Sequence, residues 1–179
     1  MSTPASIREP ARDVPVAADC DLVVVGGSCT GVFAAIAAAR QGLRVCLVEQ
    51  LNQFGGTATA SMVCVWHALW NTTGTQQIAA GLTQTVIERL RARGAVLENE
   101  RTCPHWQFCF RPAELACELD ELVLQHGIRP FLHARVAAVS GDGRRVDAVI
   151  IEDKDGRRAI RCRAVVDASG DADVLRRAG

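Results

Sequence analysis

The sequence predicts an α/β fold: a parallel sheet crossed by an antiparallel β-meander, with helical insertions between residues 57 and 127. Three observations predict it. The continuous β-branched run Asp21-Leu-Val-Val-Val25 leads through a glycine-rich turn and an alanine-rich stretch into a second apolar run, Leu43–Val48, a βαβ unit of about thirty residues. Two hairpin turns, Gly141-Asp142-Gly143 and Asp155-Gly156, are flanked by alternating runs such as Val146-Ala148-Ile150. Between these regions lie two segments with helical spacing.

Composition narrows the class. The chain has 179 residues, 49% of them apolar, enough for a real core. The 20 basic and 20 acidic residues cancel, which argues against nucleic acid as a partner. All the basic residues except Lys154 are arginines, and they are scattered, not clustered. The chain has no tyrosine, which excludes any enzyme that needs a Tyr general acid. The start of the chain lacks the apolar stretch of a secretory signal, and no run approaches the roughly 18 apolar residues of a membrane span. Of the eight cysteines, Cys20, Cys29, Cys46, Cys64 and Cys162 sit among apolar or small residues, and no Cys-x-x-Cys occurs. The expectation is a cytoplasmic protein with free thiols, acting on a small molecule without a membrane partner.

Taken in order, residues 1–19 read as a flexible lead-in spaced by Pro4, Pro10 and Pro15, and residues 20–179 as the folded domain. The first strand, Asp21–Val25, is buried on both faces. Helix follows over Val32–Arg40, stopped by Gly42, and the second strand ends at Glu49. A small-residue stretch, Gln53–Ala60, precedes Ser61–Asn71, which carries Trp66, His67 and Trp70. Residues 76–93 predict a helix on Ile78, Leu82, Val86, Ile87 and Leu90, ending at Gly94. Residues 95–111 read as irregular. Pro112 starts a helix that runs to Gln125 on Leu115, Leu119, Leu122 and Val123. Ile128–His133 predicts a strand, and the last run, Ala164–Asp167, leads into Ala168-Ser169-Gly170-Asp171.

The turn Gly26-Gly27-Ser28-Cys29-Thr30-Gly31 presents backbone N–H groups at a helix N-terminus, where the dipole favours phosphate. In the G-x-G-x-x-G pattern of a Rossmann-like unit, the first glycine makes the turn and the third lets helix and strand pack closely. Gly26 and Gly31 fill those places, and Ser28 stands at the second, adding bulk and a hydroxyl donor. Glu49 ends the second strand, where an acid accepts from both ribose hydroxyls and repels a 2′-phosphate, disfavouring NADP. A strand-end acid beside a ligand is not a core residue. Its replacement is therefore expected to change nucleotide affinity and leave folding almost untouched.

Three stretches, VVVGGSCTGVFAAIAAARQGLRVCLVE, FGGTATAS and AVVDASGDADVLRRAG, occur in this order. Together they resemble the FAD-dependent oxidoreductases with a glutathione-reductase-type Rossmann domain, related at a distance to the fumarate reductase flavoproteins. The resemblance covers roughly residues 20–179. It implies FAD as cofactor, with Gly26, Ser28 and Gly31 facing the pyrophosphate and Glu49 the adenosine ribose. It further implies Gly55, Gly56 and Thr57 along the pyrophosphate and ribityl side, and the backbone of Val136 at the adenine. Ala168, Ser169, Gly170 and Asp171 match the element that closes over the nucleotide, with Ser169 in the usual Thr place. Family members are usually longer, so the domain is expected to be incomplete at its C-terminus, without most of the flavin-ring half.

The remaining motifs weigh less. Cys103, His105 and Cys109 have no strong metal-ligand spacing, and neither a metal nor a redox disulfide is expected there. Trp66, His67, Trp70 and Trp106 are either substrate-side or core residues, and His67 is the one candidate for proton transfer. Two alternatives remain beside a flavin-dependent oxidoreductase. One is an NAD-dependent dehydrogenase, for which the lack of tyrosine excludes the short-chain type. The other is a non-catalytic nucleotide-binding fragment of a larger enzyme.

Overall fold

Strands that are apolar on both faces need a packed layer on each side, and the fold provides both. The structure is a computed structural model that describes residues 5–97 and 107–179. It runs through β1 (Val16–Asp19), β2 (Leu22–Val25), α1 (Cys29–Arg40) and β3 (Val45–Val48). A single 3-10 turn at Gly56–Ala58 precedes β4 (Val65–Trp66), α2 (Leu82–Ala92), β5 (Phe108–Cys109) and α3 (Pro112–Gln125). Then come β6 (Arg129–Phe131), β7 (Arg135–Gly141) and β8 (Val146–Asp153). The last elements are β9 (Gly156–Arg161), β10 (Ala164–Asp167) and α4 (Asp173–Ala178).

The central sheet is parallel throughout, in the order β10-β2-β3-β6. Leu22, Val24, Val45 and Leu47 point to the helical side and share a core with Val32 and Ile36 of α1 and Leu115, Leu119 and Leu122 of α3. Val23, Val25, Cys46 and Val48 point the other way, into a core shared with Val136, Val149, Ile151 and Ile160 of the meander. Burying each such aliphatic side chain contributes about 1.5–3 kcal/mol, and the β2 and β3 residues feed the two cores alternately. The result is an α/β arrangement of helices, parallel sheet and antiparallel meander.

Three sequence expectations change, and the stretch 95–111, read as irregular, also holds the short strand β5, which pairs with β4. The lead-in ends in a strand: β1 pairs in parallel with β9, giving the second sheet the order β1-β9-β8-β7. Of its four residues only Ala18 is buried, so this edge strand has no apolar pattern to betray it. The helix expected from residue 76 starts at Leu82. Before it, the Asn71 side chain accepts the amides of Thr75 and Gln76, which holds the chain in a loop and leaves Ile78 exposed. Cys109 is disulfide-bonded, where no disulfide was expected. Lack of a Cys-x-x-Cys excludes only one spacing, because a bridge joins whatever thiols the fold brings within reach. Cys103, His105 and Trp106 lie outside the described residues.

Two ion-pair groups brace this frame. Glu118 of α3 is fully buried and pairs with Arg89 of α2 and with Arg93 at its C-cap, Arg93 Nε donating to Oε2 at 2.9 Å. At the start of β2, Asp21 Oδ2 accepts the Arg44 backbone amide at 3.0 Å and Nε at 3.1 Å, and Oδ1 accepts Nη2 at 3.0 Å. The Arg44 side chain and amide hold the Asp21 carboxyl down from 3.8 to about 2.

Replacing Glu118 with Ala leaves two guanidiniums, 31% and 30% exposed, over an emptied buried site. Their partial hydration puts the expected loss near the low end for a broken buried pair, about 3 kcal/mol, or a melting temperature lower by about 6–12 °C. Thermal denaturation checks it. For Asp21 the folded value is depressed, so its stabilisation is complete above 3.8 and is lost as pH falls toward about 2. Melting temperatures measured across that window are expected to fall less steeply for Asp21→Asn than for the unchanged chain.

Candidate functional site

A cleft of about 610 Å³ opens at the C-terminal ends of β2, β3 and β10, lined by Val25, Val48 and Ala168 among others. Parallel sheets place ligands at these strand ends, and the volume lies within the roughly 300–1,000 Å³ of small-molecule and cofactor sites.

The glycine-rich turn forms one wall. Gly26 has φ +98°, and a Cβ there would stand 2.3 Å from the Ala168 carbonyl oxygen. At Gly31 a Cβ would stand 1.7 Å from the Gly26 oxygen, so the start of α1 and the end of β2 touch through backbone alone. Ser28, at the second glycine place, has φ −62° and ψ 174°, a conformation open to any residue. It is the N-cap of α1, its Oγ accepting the Gly31 amide at 3.4 Å. The first turn of α1 holds no acidic residue, so none of its own side chains compensates the positive end of its dipole. Cys29 and Thr30 line the cleft there, and amides in a first helical turn have no intrahelical acceptor. Burial pushes the Cys29 thiol up to about 11, which keeps a thiolate away from this anion-attracting corner.

Glu49 forms the adjoining wall. It is 5% exposed, and its carboxylate accepts the Gly27 amide at 2.6 Å and the Leu51 amide at 2.7 Å. An ionised carboxylate has about four acceptor positions, so Glu49 keeps capacity for hydroxyl groups in the cleft it lines. The second glycine turn lies against the first, the Gly55 amide donating to the Gly27 oxygen at 2.8 Å. Opposite, the Ala134 amide donates to the Glu49 main-chain carbonyl oxygen at 2.9 Å and brings Val136 to the cleft.

The last wall follows β10. Asp167 Oδ1 accepts the Ser169 hydroxyl at 2.6 Å and amide at 3.2 Å, while Oδ2 accepts the amides of Val174 and Leu175 at the start of α4. Burial raises the Asp167 carboxyl, but these hydrogen bonds outweigh it and hold the group below its ordinary value. Ser169 Oγ in turn accepts the Asp173 amide at 2.9 Å, so Ser169 and Gly170 are set at the cleft edge by a charged cap.

All the nucleotide-site residues expected from the sequence line this cleft except Gly27, Gly31 and Asp171. Gly27 and Gly31 work from behind, through close backbone approach; a Cβ on Gly27 would stand 2.5 Å from the Phe54 ring. Asp171 is exposed outside the lining, and Asp173 takes a place at the wall instead. Arg135 and Arg177 also line the cleft, Arg177 Nη1 donating to Asp173 Oδ1 at 2.6 Å. Sequence reading passes over both: Arg135 is adjacent to Val136, but nothing distinguishes Arg177 among the scattered arginines. Of the aromatic candidates, Trp66 lines the cleft and packs on Phe110, ring centroids 4.9 Å apart. His67 is exposed and outside the lining, and Trp70 packs against the helix-side core. Among the described residues, no group of three or more His, Cys, Asp or Glu is placed to hold a metal ion. None of their helices is long and apolar enough to cross a membrane.

Comparison with known proteins agrees with this geometry. The family described as FAD dependent oxidoreductase matches residues 21–179. A 4-oxocyclohex-2-ene-1-carboxylate 5-dehydrogenase of Sinomonas cyclohexanicum is 42% identical over 69 residues, which is 38% of this chain and 11% of that enzyme. Among solved structures, a geranylgeranyl bacteriochlorophyll reductase-like protein of Thermoplasma acidophilum superposes with TM-score 0.64 at 17% identity, over 90% of this chain and 42% of its own. A flavocytochrome c3 fumarate reductase does so with TM-score 0.59 at 18% identity, over 85% of this chain and 34% of its own. At such identities the two structures speak for the fold alone. The chain spans only part of each of these relatives.

The geometry of Glu49 revises the expectation for its replacement. Glu49→Ala strands the Gly27 and Leu51 amides, each at a cost of about 1–3 kcal/mol if water does not replace the carboxylate, so folding is affected as well as binding. The expected result is a lowered melting temperature together with FAD affinity reduced about ten- to hundredfold. Glu49→Gln, which keeps one acceptor oxygen, is expected to fall between. Thermal melts and calorimetric titration of both variants check this.

Proposed function

The chain belongs to the FAD dependent oxidoreductase family, and on that premise we propose that its cleft holds the ADP half of FAD within a flavin-dependent oxidoreductase acting on a small molecule. The observation that carries this reading is the meeting, through Gly27, of a buried acid and a helix start with no acidic residue of its own in one cleft. An acid suits ribose hydroxyls and a helix N-terminus suits phosphates. In this reading Glu49 accepts from the adenosine ribose, and the amides of Cys29 and Thr30 with the Ser28 hydroxyl face the pyrophosphate. The backbone at Val136 meets the adenine. Gly55, Gly56 and Thr57 run along the pyrophosphate and ribityl chain, and Ala168, Ser169 and Gly170 close over the nucleotide.

The residues fit such a group. The walls nearest the proposed phosphate path are glycine backbone and short side chains, and Arg135 and Arg177 supply positive charge at the lining. Val63, Val65 and Trp66 give the cleft an apolar section. The flavin supplies the electron transfer, and the protein supplies binding, orientation and electrostatics. Free thiols at Cys20, Cys29, Cys46, Cys64, Cys117 and Cys162 suit a reducing, cytoplasmic setting, whereas the disulfide at Cys109 does not.

Calorimetric titration of the purified chain with FAD, NAD and NADP tests the proposal. FAD is expected to bind most tightly, because the Glu49 carboxylate repels the 2′-phosphate of NADP and the second glycine turn suits a ribityl chain. Tighter binding of NADP than of FAD overturns it.

A further inference from the structure

Thr59 is one of the few buried polar side chains among the described residues, 3% exposed, and it does not line the cleft. Its Oγ1 donates to the Phe54 carbonyl oxygen at 2.7 Å, with the Gly56 oxygen farther off at 3.4 Å. The same side chain fills the space behind Gly55. A Cβ on Gly55 would stand 2.3 Å from Thr59 Cγ2 and 2.6 Å from Oγ1, and Gly55 itself has φ +107°. The turn is thus closed twice. The Ala60 amide donates to the Gly56 oxygen at 2.8 Å along the backbone, and the Thr59 hydroxyl ties the end of the turn to its beginning.

This turn is not independent of the first. The Gly55 amide donates to the Gly27 oxygen, Ser28 and Gly55 form an isolated parallel bridge, and the Phe54 ring packs under Gly27. Phe54 is therefore the shared element: its ring supports the first glycine turn, and its carbonyl is held by Thr59.

We propose that Thr59 is a positioning residue for the cofactor, acting through Gly55 and Phe54 to hold the second glycine turn where the ribityl side of a dinucleotide passes. The inference rests on the FAD reading above. It assigns Thr59 no contact with the ligand. The hydroxyl secures the Phe54 carbonyl and the methyl fixes the backbone position of Gly55. A ligand that ends at the second phosphate meets only the near end of this turn, whereas one that continues into a ribityl chain runs along all of it.

The test compares FAD with ADP, which carries both phosphates and no ribityl chain, on the unchanged chain and on Thr59→Val and Thr59→Ser. Thr59→Val keeps the shape and loses the hydroxyl. FAD affinity, read by flavin fluorescence, is expected to fall about tenfold, and ADP affinity, read by calorimetry, to stay within about twofold. Thr59→Ser keeps the donor and is expected to retain FAD affinity within about threefold. If Thr59→Val does not fold, Thr59→Ala removes the same hydroxyl with less crowding and is read the same way. Unchanged FAD affinity in the hydroxyl-free variant overturns the positioning role and leaves the cofactor reading standing. So does an equal loss of FAD and ADP, which marks a general destabilisation. An unchanged chain that binds no FAD overturns the cofactor reading and this inference with it.

Discussion

A buried carboxylate held by two backbone amides is costly to rearrange, and in this chain that carboxylate belongs to Glu49, between the end of β3 and the turn after β2. Its bond from the Gly27 amide fixes the turn that starts α1, and its bond from Leu51 fixes the chain leaving β3. The Gly27 oxygen then takes the Gly55 amide, so the second glycine turn is hung on the first. The Glu49 main-chain carbonyl oxygen takes the Ala134 amide, which sets the entry into β7. Three of the cleft's walls thus refer to one residue. Binding and folding at this position cannot be separated, which is why a purely ligand-facing role for Glu49 does not survive the structure.

The same arrangement explains what was legible in the sequence. β2, α1 and β3 were readable because their apolar runs answer to burial on both faces, and α3 because Pro112 and the spacing of Leu115, Leu119 and Leu122 answer to a single face. The glycine places were readable because backbone approach below van der Waals contact tolerates no Cβ. Ser28 stands where the G-x-G-x-x-G pattern has its second glycine. With φ −62° the position never required it, and a serine cap takes up an amide that glycine would leave open.

What stayed hidden shares a physical cause: it depends on partners distant in sequence. β1 is a short, largely exposed edge strand, Val16-Ala-Ala-Asp19, defined by its pairing with β9, so its own residues carry no signal. The late start of α2 is the local exception, because the Asn71 side chain captures the amides of Thr75 and Gln76 just ahead of it. Arg135 and Arg177 enter the cleft only because the meander and α4 meet its rim. The burial of Glu49 belongs here too, since a strand-end acid becomes a core group only when a turn folds over it.

Strand order then gives the cleft a direction. In the series β10-β2-β3-β6, the turn that opens α1 follows β2, Glu49 ends β3 on one side, and Ala168 follows β10 on the other. Negative charge therefore lies on the β3 side of the helix start, while the β10 side offers hydroxyl and backbone groups set by the Asp167 cap, with the Asp173 carboxylate there paired to Arg177. A symmetric anion would find one side of this cleft repulsive. A ligand with a neutral, hydroxyl-rich end joined to a phosphate pair satisfies both sides at once, and only in one orientation. The polarity that selects such a ligand is therefore built from strand order and two capping carboxylates, Glu49 and Asp167, one turned toward the cleft and the other behind its wall.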